Sequence, residues 1–198
     1  MRYTKLTGVV LKKQNYKEAD QIITVWTREL GKVRCLAKSI RLPKSKLAHA
    51  VGELGLCEID LAGGNLPVLI GAKPMRQFQT LREDLQKTVI GFYAAELMLK
   101  LTADEHPNET AFDLLLQFLE NLELSDYSVR YYPLLECFSL DLLDAFGFKM
   151  PQDLDSEKVM AMNSDQIEET HRSINRFIEY ILERNLKSEK LISSIYGR

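Results

Sequence analysis

Residues Gly31–Leu47, GKVRCLAKSIRLPKSKL, decide how the rest of the chain is read. Val33, Cys35, Ala37 and Ser39 fall on one parity and Lys32, Arg34, Leu36 and Lys38 on the other, the pattern of a half-buried strand. Lys32, Arg34 and Lys38 are therefore expected to share an exposed strand face. After Ile40 the alternation breaks at Pro43, and a polar loop carries Arg41, Lys44 and Lys46. Six cations and no carboxylate in seventeen residues suit a groove that tracks a phosphate backbone. The competing reading is an edge strand whose lysines block sheet-to-sheet pairing. The near-neutral total charge of −2 makes the basic run a local feature and favours nucleic acid.

Outward from this run, the first eighty residues read as strands. Residues 3–14 alternate loosely, with Gly8 expected at a bulge or bend; residues 21–27 form a second strand, and Glu29-Leu30-Gly31-Lys32 turns the chain into the basic third. Residues 53–61 and 66–73, joined by Gly63-Gly64-Asn65, supply the fourth and fifth. Five short strands with a long basic loop between the third and fourth predict an OB-type β-barrel. From Leu81 the period becomes helical. One helix is expected to run to about Thr102, one to open at Asn108-Glu109-Thr110 and continue through Leu122, and one to be capped by Asp126, with Pro133 in its first turn and its end at Gly147. A polar connection, residues 151–163, precedes a long helix with the stripe Ile167, His171, Ile174, Ile178, Ile181 and Leu182, and Ser188 restarts a short one. The fold class is thus α+β: a barrel domain over residues 1–80, then an all-helical domain over residues 81–198.

Charge divides at the same place. Residues 1–80 hold fourteen Lys/Arg and six Asp/Glu, a net +8, whereas residues 81–198 hold twelve and twenty-two, a net −10. Two units facing different partners are expected, the first facing an anionic polymer. No long apolar run and no signal-like start are present, so a cytoplasmic protein without membrane contact is expected. Cys35, Cys57 and Cys137 are odd in number and far from His49, His106 and His171, which argues against a disulfide framework, a metal site or a bound cofactor.

No nucleotide-binding P-loop, nucleophile elbow or zinc-protease motif occurs, and no catalytic residue is assigned. Asp141 and Asp144 share a helix face but read as a solvated surface, and His171 reads as a packing residue. Trp26 shares a strand face with Ile22 and Thr24, where packing is favoured over base stacking; Tyr3 and Tyr16 are the other aromatics before Phe78. So few platforms favour backbone tracking over sequence reading.

The stretch TGVVLKKQNYKEADQIITVWTRELGKVRCLAKSIRLPKSKL closely resembles the start of the bacterial recombination mediator RecO family, and LREDLQ (81–86), FYAAELMLKL (92–101), FDLLLQFLENL (112–122), LDLLDAFGF (140–148) and RFIEYILERNLKSEKL (176–191) continue the likeness. The resemblance implies an OB barrel followed by a helical domain that binds single- and double-stranded DNA, anneals complementary strands, and helps RecA displace single-stranded-DNA-binding protein. The implied partners are RecR, with RecF in some settings, and the implied place is the nucleoid. Many members carry a cysteine-rich zinc module after the GF-like pair; here Lys149–Asn163 contains no cysteine. The resemblance also implies capture of the acidic, Phe-ended tail of single-stranded-DNA-binding protein. Arg172 and Arg176, one turn apart beside Ile174 and Phe177, are the candidates, unless they pair with Glu168, Glu169, Glu179 or Glu183 on their own helix. Lys12, Lys13 and Lys17 are reserve DNA contacts. An adaptor with little DNA binding, or an RNA-binding OB protein, is the alternative.

Overall fold

The computed structural model describes residues 3–125, 131–150 and 154–196. Their contacts fall into two compact units, Met1–Phe78 with Thr102–Phe112, and Gln79–Leu101 with Asp113–Arg198. The run Thr102–Phe112 therefore groups with the strands, although it lies in the stretch assigned by sequence to the helical domain.

The first unit contains β1 (Tyr3–Tyr16), β2 (Asp20–Thr27), β3 (Gly31–Ala37), α1 (Lys46–Ala50), β4 (Leu56–Ala62) and β5 (Val68–Arg76). The five strands close on themselves as a barrel in the order β1-β2-β3-β5-β4. Every pairing is antiparallel except β3 with β5, which meet in parallel at Leu36 and Val68. Closure works because β1 serves twice: residues 3–9 pair with β4 and residues 8–16 with β2. Gly8 belongs to both ladders. A Cβ there would lie 2.5 Å from Val25 Cγ1 and 2.7 Å from the Trp26 carbonyl oxygen, so the crossing needs glycine. The register shift itself falls two residues later than expected, between Val10 and Lys12. The interior is filled by Leu6, Val10, Ile23, Val25, Cys35 and Ile59, all at most 2% exposed, each aliphatic side chain contributing about 1.5–3 kcal/mol by leaving water. Burial pushes the Cys35 thiol up to about 12 and Cys57 up to about 11, so neither is a thiolate near neutrality.

Two local features differ from expectation. The basic strand ends at Ala37, so Lys38 lies in the following turn; Lys46 opens α1, a helix too short for its periodicity to register. The run Thr102–Phe112 also passes over the start of β3. The Glu105 amide donates to the Lys32 carbonyl at 3.1 Å, and a Cβ on Gly31, whose φ is +72°, would meet the His106 carbonyl oxygen at 2.3 Å.

The second unit contains α2 (Gln79–Glu83), α3 (Leu85–Leu101), α5 (Tyr131–Ala145), α6 (Ser156–Met160), α7 (Ser164–Leu182), α8 (Lys187–Tyr196) and most of α4 (Glu109–Leu124). The single helix expected from Leu81 to Thr102 is broken at Asp84, whose Oδ1 accepts from the amides of Gln86 (2.7 Å) and Lys87 (3.2 Å) and so starts α3 afresh. Asn108 caps α4 through the Ala111 amide, and Pro133 sits in the first turn of α5. The expected cap Asp126 lies outside the described residues. Gly147, at φ +79°, ends α5, and the Phe148 amide returns to the Leu143 carbonyl at 2.9 Å. Asn163 and Gln166 form a capping box on α7. Glu96 of α3 receives the amides of Lys187 and Ser188 at 3.0 and 2.8 Å, tying the start of α8. Burial alone would raise the Glu96 carboxyl; the Ser188 hydroxyl, these two amides and Lys100 together outweigh it and hold the group at about 2. No described helix is long and apolar enough to cross a membrane.

Candidate nucleic-acid interface

Residues directly opposite one another on paired strands share a face, so the registers assign the outer surface of β1-β2-β3. One row runs Lys12–Thr24–Arg34, the next Gln14–Ile22–Leu36, and a third begins Tyr16–Asp20. Neighbouring strands stand about 4.8 Å apart, which puts Lys12 and Arg34 roughly 10 Å from each other across Thr24. The shift between Val10 and Lys12 decides which lysine of the pair is presented. Lys12 is exposed on the outer row, whereas Lys13 pairs with Ile23 on the barrel-facing parity.

Of the six cations singled out by sequence, Arg34, Lys38, Arg41, Lys44 and Lys46 are exposed. Lys32 is not available to a ligand in the same way. Its side chain is 12% exposed, its Nζ donates to the Thr102 carbonyl at 2.5 Å, and it pairs with Asp104 at 3.3 Å. Its parity points outward, as expected, but the returning run of chain covers that point. Lys32→Ala is therefore expected to lower the stability of the first unit by about 1–2 kcal/mol while changing DNA affinity less than about twofold. A titration beside a urea melt separates the two effects.

The turn after β3 is tied to the β1–β2 hairpin. The Ser39 amide donates to Asp20 Oδ1 at 2.8 Å, the Arg41 amide to the Ala19 carbonyl at 3.0 Å, and Arg41 Nη1 to the Glu18 carbonyl at 3.0 Å. These bonds tie the turn that follows Tyr16 and Lys17 to the turn that carries Lys38 and Arg41, a link local periodicity does not reveal. Arg34 also borders a depression of about 570 Å³ walled by Leu30, Leu66 and Pro67. On the β1–β4 side the outer charge is already matched, with Lys5 Nζ 2.9 Å from Glu58 and 4.0 Å from Asp60. Trp26 is fully buried, with no hydrogen-bond partner for its Nε1 among the described residues, and so packs instead of presenting a face to a base.

In the second unit Arg172 pairs with Glu168 one turn away, both on the surface. Arg176 is exposed beside it, but the surrounding depression is lined by Asp165, Glu168 and Glu169, while Ile174 is completely buried and forms no part of an apolar slot there. Arg172 and Arg176 line the same depression as these carboxylates. Asp141 accepts from Ser156 Oγ at 2.8 Å, a structural bond. Among the described residues no group of three or more His, Cys, Asp or Glu is placed to hold a metal ion.

His171 is more than packing. Its Nδ1 lies 2.5 Å from Glu136 on α5 and its Nε2 3.1 Å from Glu189 on α8, with Asn175 3.0 Å away and Tyr93 of α3 donating to Asn175. Burial alone would lower the imidazole, but the two carboxylates outweigh it and lift His171 to about 9. Burial also raises the Glu136 carboxyl, despite the cation beside it.

The family model for the recombination protein O N terminal matches residues 1–78, and that for the recombination protein O C terminal matches residues 82–156. The chain belongs to the recombination protein O family. A DNA repair protein RecO from Dehalococcoides mccartyi (strain CBDB1) is 33% identical over 146 residues, covering 73% of this chain and 56% of that protein. Another from Anaeromyxobacter dehalogenans (strain 2CP-C) is 34% identical over 155 residues, 77% of this chain and 59% of its own length. A third, from Symbiobacterium thermophilum, is 32% identical over 150 residues, 75% and 58% respectively. The chain thus spans a little over half the length of these RecO relatives. Each of these relatives is named a DNA repair protein.

Proposed function

We propose that the chain is a DNA-binding recombination mediator that anneals complementary strands without enzymatic turnover and helps load RecA onto DNA coated by single-stranded-DNA-binding protein. The observation that carries this reading is the cluster of Arg34, Lys38, Arg41, Lys44 and Lys46 on one exposed stretch of a RecO-family barrel, with Lys12 in the adjoining outer row. Annealing requires the phosphate repulsion between two strands to be neutralised while base edges stay available for pairing. Flexible cations with few base-reading groups among them suit that task.

The strand order, the parallel β3–β5 closure and the short helix between β3 and β4 support an OB-type barrel. In this reading residues 1–80 form the DNA-binding domain and residues 81–198 the helical one. RecR, with RecF in some settings, and single-stranded-DNA-binding protein are the partners proposed from the family, with the nucleoid as the place of action. The test is the rate at which complementary labelled oligonucleotides anneal, bare and coated with single-stranded-DNA-binding protein. Faster annealing that fades as salt rises supports the reading; a rate equal to the protein-free control under both conditions overturns it.

A further inference from the structure

Resting on the DNA-binding reading, we infer that Tyr16 and the apolar floor beside it form a site for one unstacked nucleobase, so that the barrel distinguishes single strands from duplex. Tyr16 lies on the outer parity of β1, in line with Lys12 and Gln14, and is 39% exposed. Between its row and the Lys12–Thr24–Arg34 row lies Gln14–Ile22–Leu36, where Ile22 and Leu36 are half-buried and present apolar surface. Rows two residues apart along a strand are separated by about 6.6–6.8 Å, so an apolar strip lies between cations on either side: Lys12 and Arg34 in one direction, Lys38 and Arg41 in the other. A base stacked on the phenol ring would rest over this strip while flanking phosphates meet the cations.

The site is held in place before any ligand arrives. The three bonds from Ser39 and Arg41 to the hairpin tip fix the turn, and Gln21 Nε2 donates to Asn15 Oδ1 at 3.0 Å across its base. Lys17, at φ +53°, curls back so that its Nζ lies 5.5 Å from the centre of the Tyr16 ring. Such fixing lowers the ordering cost of binding. Tyr3, the more exposed aromatic at 67%, does not fit the same role, because its neighbours on that outer face are Lys5, already matched by Glu58, and Asp60. A duplex keeps its bases stacked internally and offers none to Tyr16.

The experiment compares the wild-type chain with Tyr16→Ala and Tyr16→Phe on a labelled single strand, on its duplex, and on a sugar–phosphate chain of equal length lacking bases. Tyr16→Ala is expected to weaken single-strand binding about tenfold, with an unchanged salt slope because no cation is removed, and to leave duplex binding within about twofold. Tyr16→Phe keeps the ring and should stay within about twofold of wild type on every probe. Wild type should bind the baseless chain as weakly as Tyr16→Ala binds normal DNA. If wild type binds and Tyr16→Ala binds single strands equally well, the base site is overturned and the DNA-binding reading stands. Equal losses on single strand and duplex, or failure of phenylalanine to restore binding, also overturn stacking. A wild-type chain that binds none of the three probes overturns both readings.

Discussion

Replacing His171 by alanine is expected to cost the helical unit about 3–5 kcal/mol, because it leaves the buried carboxylate of Glu136 without its cation. Glu136 is 1% exposed and His171 4%, so solvent does little to screen the change. The ring touches α5 through Glu136, with Tyr132 tilted beside it at 4.7 Å between centroids, and touches α8 through Glu189. Tyr93 of α3 reaches it by way of Asn175. Exchanging His171 and Glu136 together for leucine should recover part of the loss, since an apolar pair of similar bulk carries no desolvated charge. The same network fixes a pH dependence. An imidazole lifted from 6.5 to about 9 stabilises the fold fully below pH 6.5, and the contribution, about 3 kcal/mol, drains away as pH rises through 9. Far-ultraviolet ellipticity during urea melts at pH 6, 7.5 and 9.5 reads this directly. Wild type should lose stability over that range, and a double-leucine chain should lose much less; identical profiles would sink the assignment.

The strands were legible because their chemistry is local. Alternation over Val33–Ala37 reports which side chains face the barrel interior, and Val33, Cys35 and Ala37 lie in the core. The helical stripe over Ile167, Ile174 and Ile178 was equally plain, and all three are buried in α7. What escaped depends on distant partners or on single-residue irregularities. Lys32 has the right parity for a phosphate contact, yet its partners, Thr102 and Asp104, lie some seventy residues along the chain. The shift between Val10 and Lys12 changes which lysine faces outward, and nothing in a KK pair announces it. Asp84 sits inside a stretch of helical period, and only its bonds to Gln86 and Lys87 turn it into a cap. His171 occupies an apolar stripe, so periodicity counts it as core; its carboxylate partners come from two other helices. Tyr16 and Lys17 were visible as residues, but the link from their hairpin to the turn carrying Lys38 and Arg41 follows from hydrogen bonds between two turns.

Changing Arg34, Lys38 and Arg41 together to alanine is expected to weaken binding about 100-fold on single strands and about 500-fold on duplex at 0.1 M salt. The magnitude follows from counterion release: each phosphate contact contributes about 0.7 to the slope of log K against log salt on single strands and about 0.9 on duplex, and about as many decades of affinity at that salt. With Lys32 committed to Thr102 and Asp104, about five phosphate contacts drawn from Arg34, Lys38, Arg41, Lys44, Lys46 and Lys12 give slopes of about −3.5 and −4.5 for the wild-type chain. The triple variant should flatten them by about 2 and about 3, and the loss should be the same for every sequence, as for contacts that read phosphate alone. Folding should survive, because none of the three lies in the barrel core, although Arg41 surrenders one bond to the Glu18 carbonyl while its amide bond to Ala19 remains. Arg41→Lys in the wild-type background controls for that bond, since it keeps the charge: slope and affinity should stay near wild type. Fluorescence anisotropy across a salt series supplies all these quantities. A folded triple variant with wild-type affinity and slope would move the electrostatic footprint away from the β3–α1 stretch, and Lys12 with Lys17 would be the next positions to change.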